Sequence, residues 1–209
     1  LMNELSLNLL GIKNESFLNE ARKTIYKCII YIEEVVSDYI DVPFSEYEER
    51  LAQIEDFEEQ KRWDLLSKLG FSIDSVKESF GDNSKWRWSF TELHARFAVV
   101  AKNFLDLKNF LSGMDPQVEG YRLRMEHMNL VKKMLEQAAT NYRQKYELTT
   151  GRIDDFKVAI HYLSTLRRIH ILLGESEESD VIKKKIDVWK SKMESDSKNA
   201  ENAKKKAGR

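Results

Sequence analysis

Residues 116–148, PQVEGYRLRMEHMNLVKKMLEQAATNYRQKYEL, hold the most regular pattern in the chain. Val118, Tyr121, Met125, Met128, Lys132, Leu135, Ala139, Tyr142 and Tyr146 recur at alternating steps of three and four, which draws one stripe along an α-helix. Lys132 is the polar exception. Asp115-Pro116 supplies an N-cap side chain followed by a proline at the first helical position. With no Gly or Pro after Gly120, the pattern predicts a single unbroken helix over 116–148. At 1.5 Å per residue it would run roughly 50 Å, longer than a small core needs, so an elongated molecule is expected.

The neighbouring segments read the same way. Thr149-Thr150-Gly151 turns the chain into a helix through Ile153, Phe156, Ile160, Leu163, Leu166 and Ile169, ended by Gly174. A last helix starts near Ser176 or Ser179 and carries Ile182, Ile186, Trp189 and Met193. Residues 194–209 contain no large apolar side chain and are expected to be a disordered or frayed tail. On the other side, Ser89-Phe90-Thr91-Glu92 reads as a capping box. Behind it Leu93, Phe97, Val100, Ala101, Phe104, Leu105, Leu107, Phe110 and Leu111 form a wide apolar face, and Gly113 is the expected stop. That face marks this helix as central to the core. Ser45-Glu46-Tyr47-Glu48 is a second capping box, opening a helix through Leu51, Ile54, Phe57, Leu65 and Leu66 to a terminator at Gly70.

The first helix shows Ala21, Ile25, Cys28, Ile32, Val35 and Tyr39, and Pro43 ends it. Residues 1–13 are an irregular lead-in whose Leu5, Leu7, Leu9, Leu10 and Ile12 are able to cover a groove. Residues 71–84 hold a short helix at most and run into a loop at 81–84. Only 8 Gly and 2 Pro occur in 209 residues, well below the usual combined ~12%, and sheets need such residues at their turns. The expected fold is therefore all-α: an elongated bundle of about six helices with long antiparallel hairpins and no sheet. One domain over 1–193 accounts for it, with a possible sub-boundary near 71–88.

The formal net charge of −1 hides an asymmetry. Residues 1–84 carry 9 Lys and Arg against 18 Asp and Glu, and residues 85–209 carry 25 against 17. Between Glu33 and Glu59 only Arg50 interrupts eleven carboxylates. A solvated helix face explains such a run; complementary surfaces that dock copies or partners also would. No basic patch suited to nucleic acid appears. No apolar run approaches the ~18 residues of a membrane span, so no membrane insertion is expected. The chain opens Leu1-Met2, and an export signal removed upstream is compatible with that start.

Chemistry is sparse. Cys28 is the lone cysteine and lies on the first helix's apolar stripe, where a small buried residue suits. His94, His127, His161 and His170 are dispersed. The residues three before them, Thr91, Arg124, Val158 and Arg167, rule out the Glu-x-x-His pairs of helical di-iron sites. Phosphate loops, dinucleotide fingerprints and nucleophile elbows are absent. No catalytic residue, cofactor or metal is expected. The pairs Glu33-Glu34, Glu48-Glu49 and Glu58-Glu59 read as solvated helix faces.

The unusual local feature is Lys85-Trp86-Arg87-Trp88, two tryptophans and two cations in four residues. It can grip a partner protein, or one or both tryptophans can staple the start of the following helix near Leu93. The candidate partner-binding residues are thus Lys85, Trp86, Arg87 and Trp88, with Glu48, Glu49, Glu58 and Glu59 as an acidic alternative.

The stretch KWRWSFTELHARFAVVAKNFLDLKNF, from Lys85 onward, resembles the flagellar-coiling proteins of spirochaetes, and the Lys/Asn/Glu-rich texture agrees. The resemblance implies a non-enzymatic helical protein, exported to the periplasm, that sheathes the flagellar filament and contributes to its coiling and to motility. Its partners would be filament core or sheath subunits, or copies of itself. No functional residue is carried over from that family. The alternative is a cytoplasmic helical adaptor or regulatory protein-binding module.

Overall fold

Asn14 opens the first helix by accepting the Phe17 backbone N–H on its side-chain oxygen at 3.2 Å, a side-chain N-cap. The computed structural model describes residues 14–81, 85–112, 115–117 and 120–207. The expectations for the lead-in with Leu5, Leu7, Leu9, Leu10 and Ile12, for the loop at 82–84, for Gly113 and for Val118 fall outside the described residues. The helices are α1 Glu15–Val36, α2 Glu48–Leu51, α3 Glu59–Phe80, α4 Arg87–Asn103, α5 Leu107–Ser112, α6 Tyr121–Lys145, α7 Ile153–Leu172 and α8 Ser176–Ala207, with a π-helical turn at Tyr146–Thr150. No strand occurs among the described residues. The fold is all-α, with six long helices and two short ones among the described residues.

The chain divides into two compact units, Leu1–Val131 and Lys132–Arg209, and the division falls inside α6. In the first unit α1, α3 and α4 pack against one another. The sequence marks α4 as central, and twelve of its seventeen residues are buried. Four of them are polar, Thr91, His94, Lys102 and Asn103, and the last two serve the loop after α1. Asn103 donates Nδ2 to the carbonyls of Val36 and Ser37 at 2.9 and 3.0 Å. Lys102, 1% exposed, donates to the Val42 carbonyl and to Asn103 Oδ1. Burying an ammonium costs far less when oxygens surround it, and here they fix the turn that Pro43 requires.

In the second unit α7 and α8 form an antiparallel hairpin: Phe156 lies 5.8 Å from Trp189 near the open end, and Arg167 Nε reaches the Ser179 carbonyl nearer the turn. The later part of α6 lies along them. Tyr142 stacks on Tyr162 and Tyr146 on Phe156, with centroids 6.1 and 4.8 Å apart.

Several boundaries differ from the sequence reading. Ser45 has a positive φ of 62°, and its hydroxyl donates to Asp106 and accepts the Lys108 N–H instead of capping the next helix. The expected helix over 45–70 is therefore one turn, α2, then a bend with Asp56 at φ 58°. α3 starts afresh at Glu59 and runs straight through Gly70. Gly70 is no terminator: a Cβ there would sit 3.1 Å from the Phe97 ring, so its role is close approach of α3 to α4. Ser89 lies inside α4 and accepts Arg22 Nη1 at 2.7 Å, so the capping box over 89–92 does not form either. Asp115 caps a local turn through the Gln117 N–H, and Gly120, at φ 83°, precedes α6. The long helix therefore begins at Tyr121 and passes into the π turn at Tyr146. α4 ends at Asn103, with Phe104 and Leu105 buried in the break before α5. Cys28 is exposed, because α1 buries Leu18, Ile25, Ile29 and Val36 and turns Cys28 to the edge of that stripe. Residues 194–207 continue α8, where a frayed tail was expected.

Candidate functional site

The head of α4 gathers Lys85, Trp86, Arg87 and Trp88, but the two tryptophans do different work. Trp86 is half-buried, with the Arg22 guanidinium 4.4 Å above its ring and Phe80 at 6.3 Å. Phe80 in turn lies 5.5 Å from Phe90. Trp86 thus joins α1, the end of α3 and the head of α4. Lys85 sits 5.6 Å from the same ring and pairs with Glu15 at 3.3 Å. Trp88 is half-buried with the Arg87 guanidinium 5.0 Å from its ring centre, and Lys85 and Arg87 are both exposed. An aromatic face with an exposed guanidinium beside it can accept a partner's apolar or acidic side chains.

The acidic run does not form one surface. Glu33 is the partner of Arg96: Nε donates at 2.8 Å and Nη2 donates to the other oxygen, with Arg96 Nη1 on the Tyr26 hydroxyl at 2.5 Å. The Glu33 hydrogen bonds raise the Arg96 guanidinium above its ordinary pKa. Glu48 accepts Arg62 Nη1 on both oxygens, at 3.0 and 2.8 Å, and Glu59 accepts Arg124 Nε at 2.9 Å. Hydrogen bonding to Glu59 raises the Arg124 guanidinium as well. Glu49 and Glu58 remain exposed. Two of the basic residues beyond residue 84 are therefore spent inside the first unit, where Arg96 and Arg124 meet Glu33 and Glu59.

Glu48 and Glu59 share a pocket of about 180 Å³ with Arg62, Arg124, Asp106 and His127, edged by Phe104 and Leu105. Arg62 is 7% exposed and donates Nε to the Phe57 carbonyl at 2.9 Å. His127 is 8% exposed and its Nε2 lies 2.8 Å from the Ala101 carbonyl. Burial holds its pKa down at about 4, so the ring is neutral near pH 7. A carbonyl only accepts, so Nε2 carries the proton and Nδ1 presents a lone pair. This pocket was not anticipated. Its signal was present, because Arg62, Leu66, Leu69 and Ile73 lie on one α3 stripe once the helix starts at Glu59.

His94 bridges the Phe90 carbonyl at 2.8 Å and Asp74 at 3.0 Å, joining α4 to α3. Among the described residues no group of three or more His, Cys, Asp or Glu side chains is placed to hold a metal ion. Among them, too, no helix is long and apolar enough to cross a membrane.

The chain is thus an all-α protein with a polar pocket in its first unit and an aromatic, cationic corner at the head of its central helix. It belongs to the TP0443 family, whose model matches residues 1–197. The family takes its name from a Treponema protein, which associates it with spirochaetes. No curated protein and no solved structure matches the chain.

Proposed function

We propose that the protein is a non-enzymatic structural component of the spirochaete periplasmic flagellar filament sheath, which contributes to filament coiling and motility by binding neighbouring subunits. The observation that carries the interaction role is the corner at the head of α4, where Trp88 stands half-buried between Arg87 and solvent while Trp86 is committed to the fold. The spirochaete association of the family and the resemblance of the Lys85–Phe110 stretch to flagellar-coiling proteins support the location. Partners are filament core or sheath subunits, or further copies of the chain.

The test has two parts. In cells that produce the protein, immunogold labelling of sections and of purified flagella should place it on periplasmic filaments. Label confined to the cytoplasm would reject the sheath role and leave the adaptor reading. A pull-down from the same cells with wild type, Trp88→Ala and a Glu49→Lys/Glu58→Lys double variant then locates the surface. Trp88→Ala should lose partners at both low and high salt, since a desolvated aromatic anchor contributes ~2 kcal/mol or more. Loss in the Glu variant alone, at low salt alone, would assign binding to long-range attraction screened within ~10 Å at 0.1 M.

A further inference from the structure

The polar pocket of the first unit has more hydrogen-bonding capacity than its own residues use. Arg62 spends Nε on the Phe57 carbonyl and Nη1 on Glu48, and among the described residues nothing accepts from its Nη2. Arg124 spends Nε on Glu59, and among the described residues nothing accepts from Nη1 or Nη2. The two terminal nitrogens of a guanidinium form a fork that matches the two oxygens of a carboxylate. Among the described residues only Thr165 Oγ1 is a buried side-chain polar atom without a partner, so these guanidinium N–H groups are open to a ligand and not sealed off. On the acceptor side stands the lone pair of His127 Nδ1.

Charge narrows the ligand. Three carboxylates, Glu48, Glu59 and Asp106, face two guanidiniums around the pocket, and His127 is neutral. The walls therefore sum to −1. A free anion adds to that charge, and a phosphate adds more. A free cation leaves the Arg124 fork empty. A zwitterion fills the fork and the acceptors together without changing the sum. Size narrows it further: about 180 Å³ is the room of roughly six waters at ~30 Å³ each, below the ~300–1,000 Å³ of drug-sized sites.

We propose that this pocket binds a free α-amino acid with a small side chain. Its carboxylate lies on Nη1 and Nη2 of Arg124 with help from Nη2 of Arg62. Its ammonium faces Asp106 and His127 Nδ1, and its side chain meets Phe104 or Leu105. The site stands apart from the Trp88 corner and does not depend on the sheath role.

The full chain is titrated by calorimetry and by thermal shift with glycine, L-alanine and L-serine, and with acetate, methylammonium and inorganic phosphate as controls. At least one amino acid should bind saturably and raise the melting temperature. Acetate and methylammonium should each bind at least ten-fold more weakly. Arg124→Gln should abolish amino-acid binding. As a readout that needs no variant, the ring ¹⁵N resonances of wild-type His127 should shift on saturation. If Arg124→Gln fails to fold, the His127 shift and the control ligands decide. Absence of amino-acid binding, acetate or phosphate binding as tight as the amino acids, or His127 resonances unmoved at saturation would each overturn the assignment.

Discussion

Lys132 donates to both carboxylate oxygens of Glu175, at 2.7 and 2.6 Å. The one polar residue in the α6 stripe is thus the point at which α6 meets the turn between α7 and α8. His170 Nδ1 lies 2.5 Å from the same carboxylate. Burial opposes ionisation of Glu175, but the bonds from Lys132 and His170 outweigh it and hold the carboxyl below its usual range. A double-mutant cycle with Lys132→Met and Glu175→Gln should therefore return a coupling of about 1–2 kcal/mol, within the ~0.5–3 kcal/mol typical of groups in one network. Additive effects in urea denaturation would show that the pair contributes nothing specific.

His127 sets a pH dependence whose sign is fixed by its neutral, buried ring. Its folded pKa of about 4 lies below the ordinary 6.5, chiefly through burial. The unfolded chain therefore binds more protons between these values, and stability must fall as pH drops from about 6.5 toward 4. At ~1.36 kcal/mol per unit, the shift amounts to about 3 kcal/mol when fully expressed. In His127→Gln, which keeps a donor for the Ala101 carbonyl, urea midpoints should depend less on pH across this window. An equal slope in the two proteins would assign the dependence to carboxylates instead.

Gly70→Ala weighs two effects of opposite sign. Alanine gains ~1 kcal/mol over glycine in a helix interior. Its Cβ would lie 3.1 Å from two atoms of the Phe97 ring, which is fully buried and held by neighbours on every side. Overpacking of this kind costs ~1–3 kcal/mol, so the melting temperature should fall or stay level, and Gly70→Ala combined with Phe97→Leu should recover part of any loss. A clear rise in the single variant would mean that Phe97 shifts freely.

What was legible in the sequence was the periodic part. The α6 stripe places Met128, Leu135 and Ala139 in the interior, and all three are buried. The α4 face likewise puts Leu93, Phe97, Val100 and Ala101 there. Capping motifs were misleading, because Ser45 and Ser89 found tertiary partners in Asp106 and Arg22 that local spacing cannot reveal. The left-handed bend at Asp56 also left no signal, and without it the α3 stripe starts in the wrong register and hides Arg62. Of the candidate residues, the cluster at 85–88 was visible as composition, whereas the division of labour between Trp86 and Trp88 depends on Arg22 and Phe80, distant in sequence.

The end of α8 offers a sharper test of where packing stops. Its buried stripe runs through Ser179, Ile182, Ile186 and Trp189, continues half-buried at Met193, Asp196 and Ser197, and then Lys198 to Asn202 are exposed. The family match also ends at residue 197. Asp196 accepts the Tyr146 hydroxyl at 2.6 Å, and burial together with that carboxylate pushes the hydroxyl up to about 12. Truncation after Ser197 should leave the melting temperature unchanged. Truncation after Met193 removes Asp196 and should cost about 1 kcal/mol, the net worth of one such hydrogen bond, or ~2–4 °C in a chain of this size. Tyr146→Phe should cost a similar amount, and truncating after Met193 in that background should add almost nothing, because both changes delete the same bond. If the two effects sum instead, the turn at 194–197 stabilises the second unit through contacts other than Tyr146, and helix continuity alone is then worth the difference.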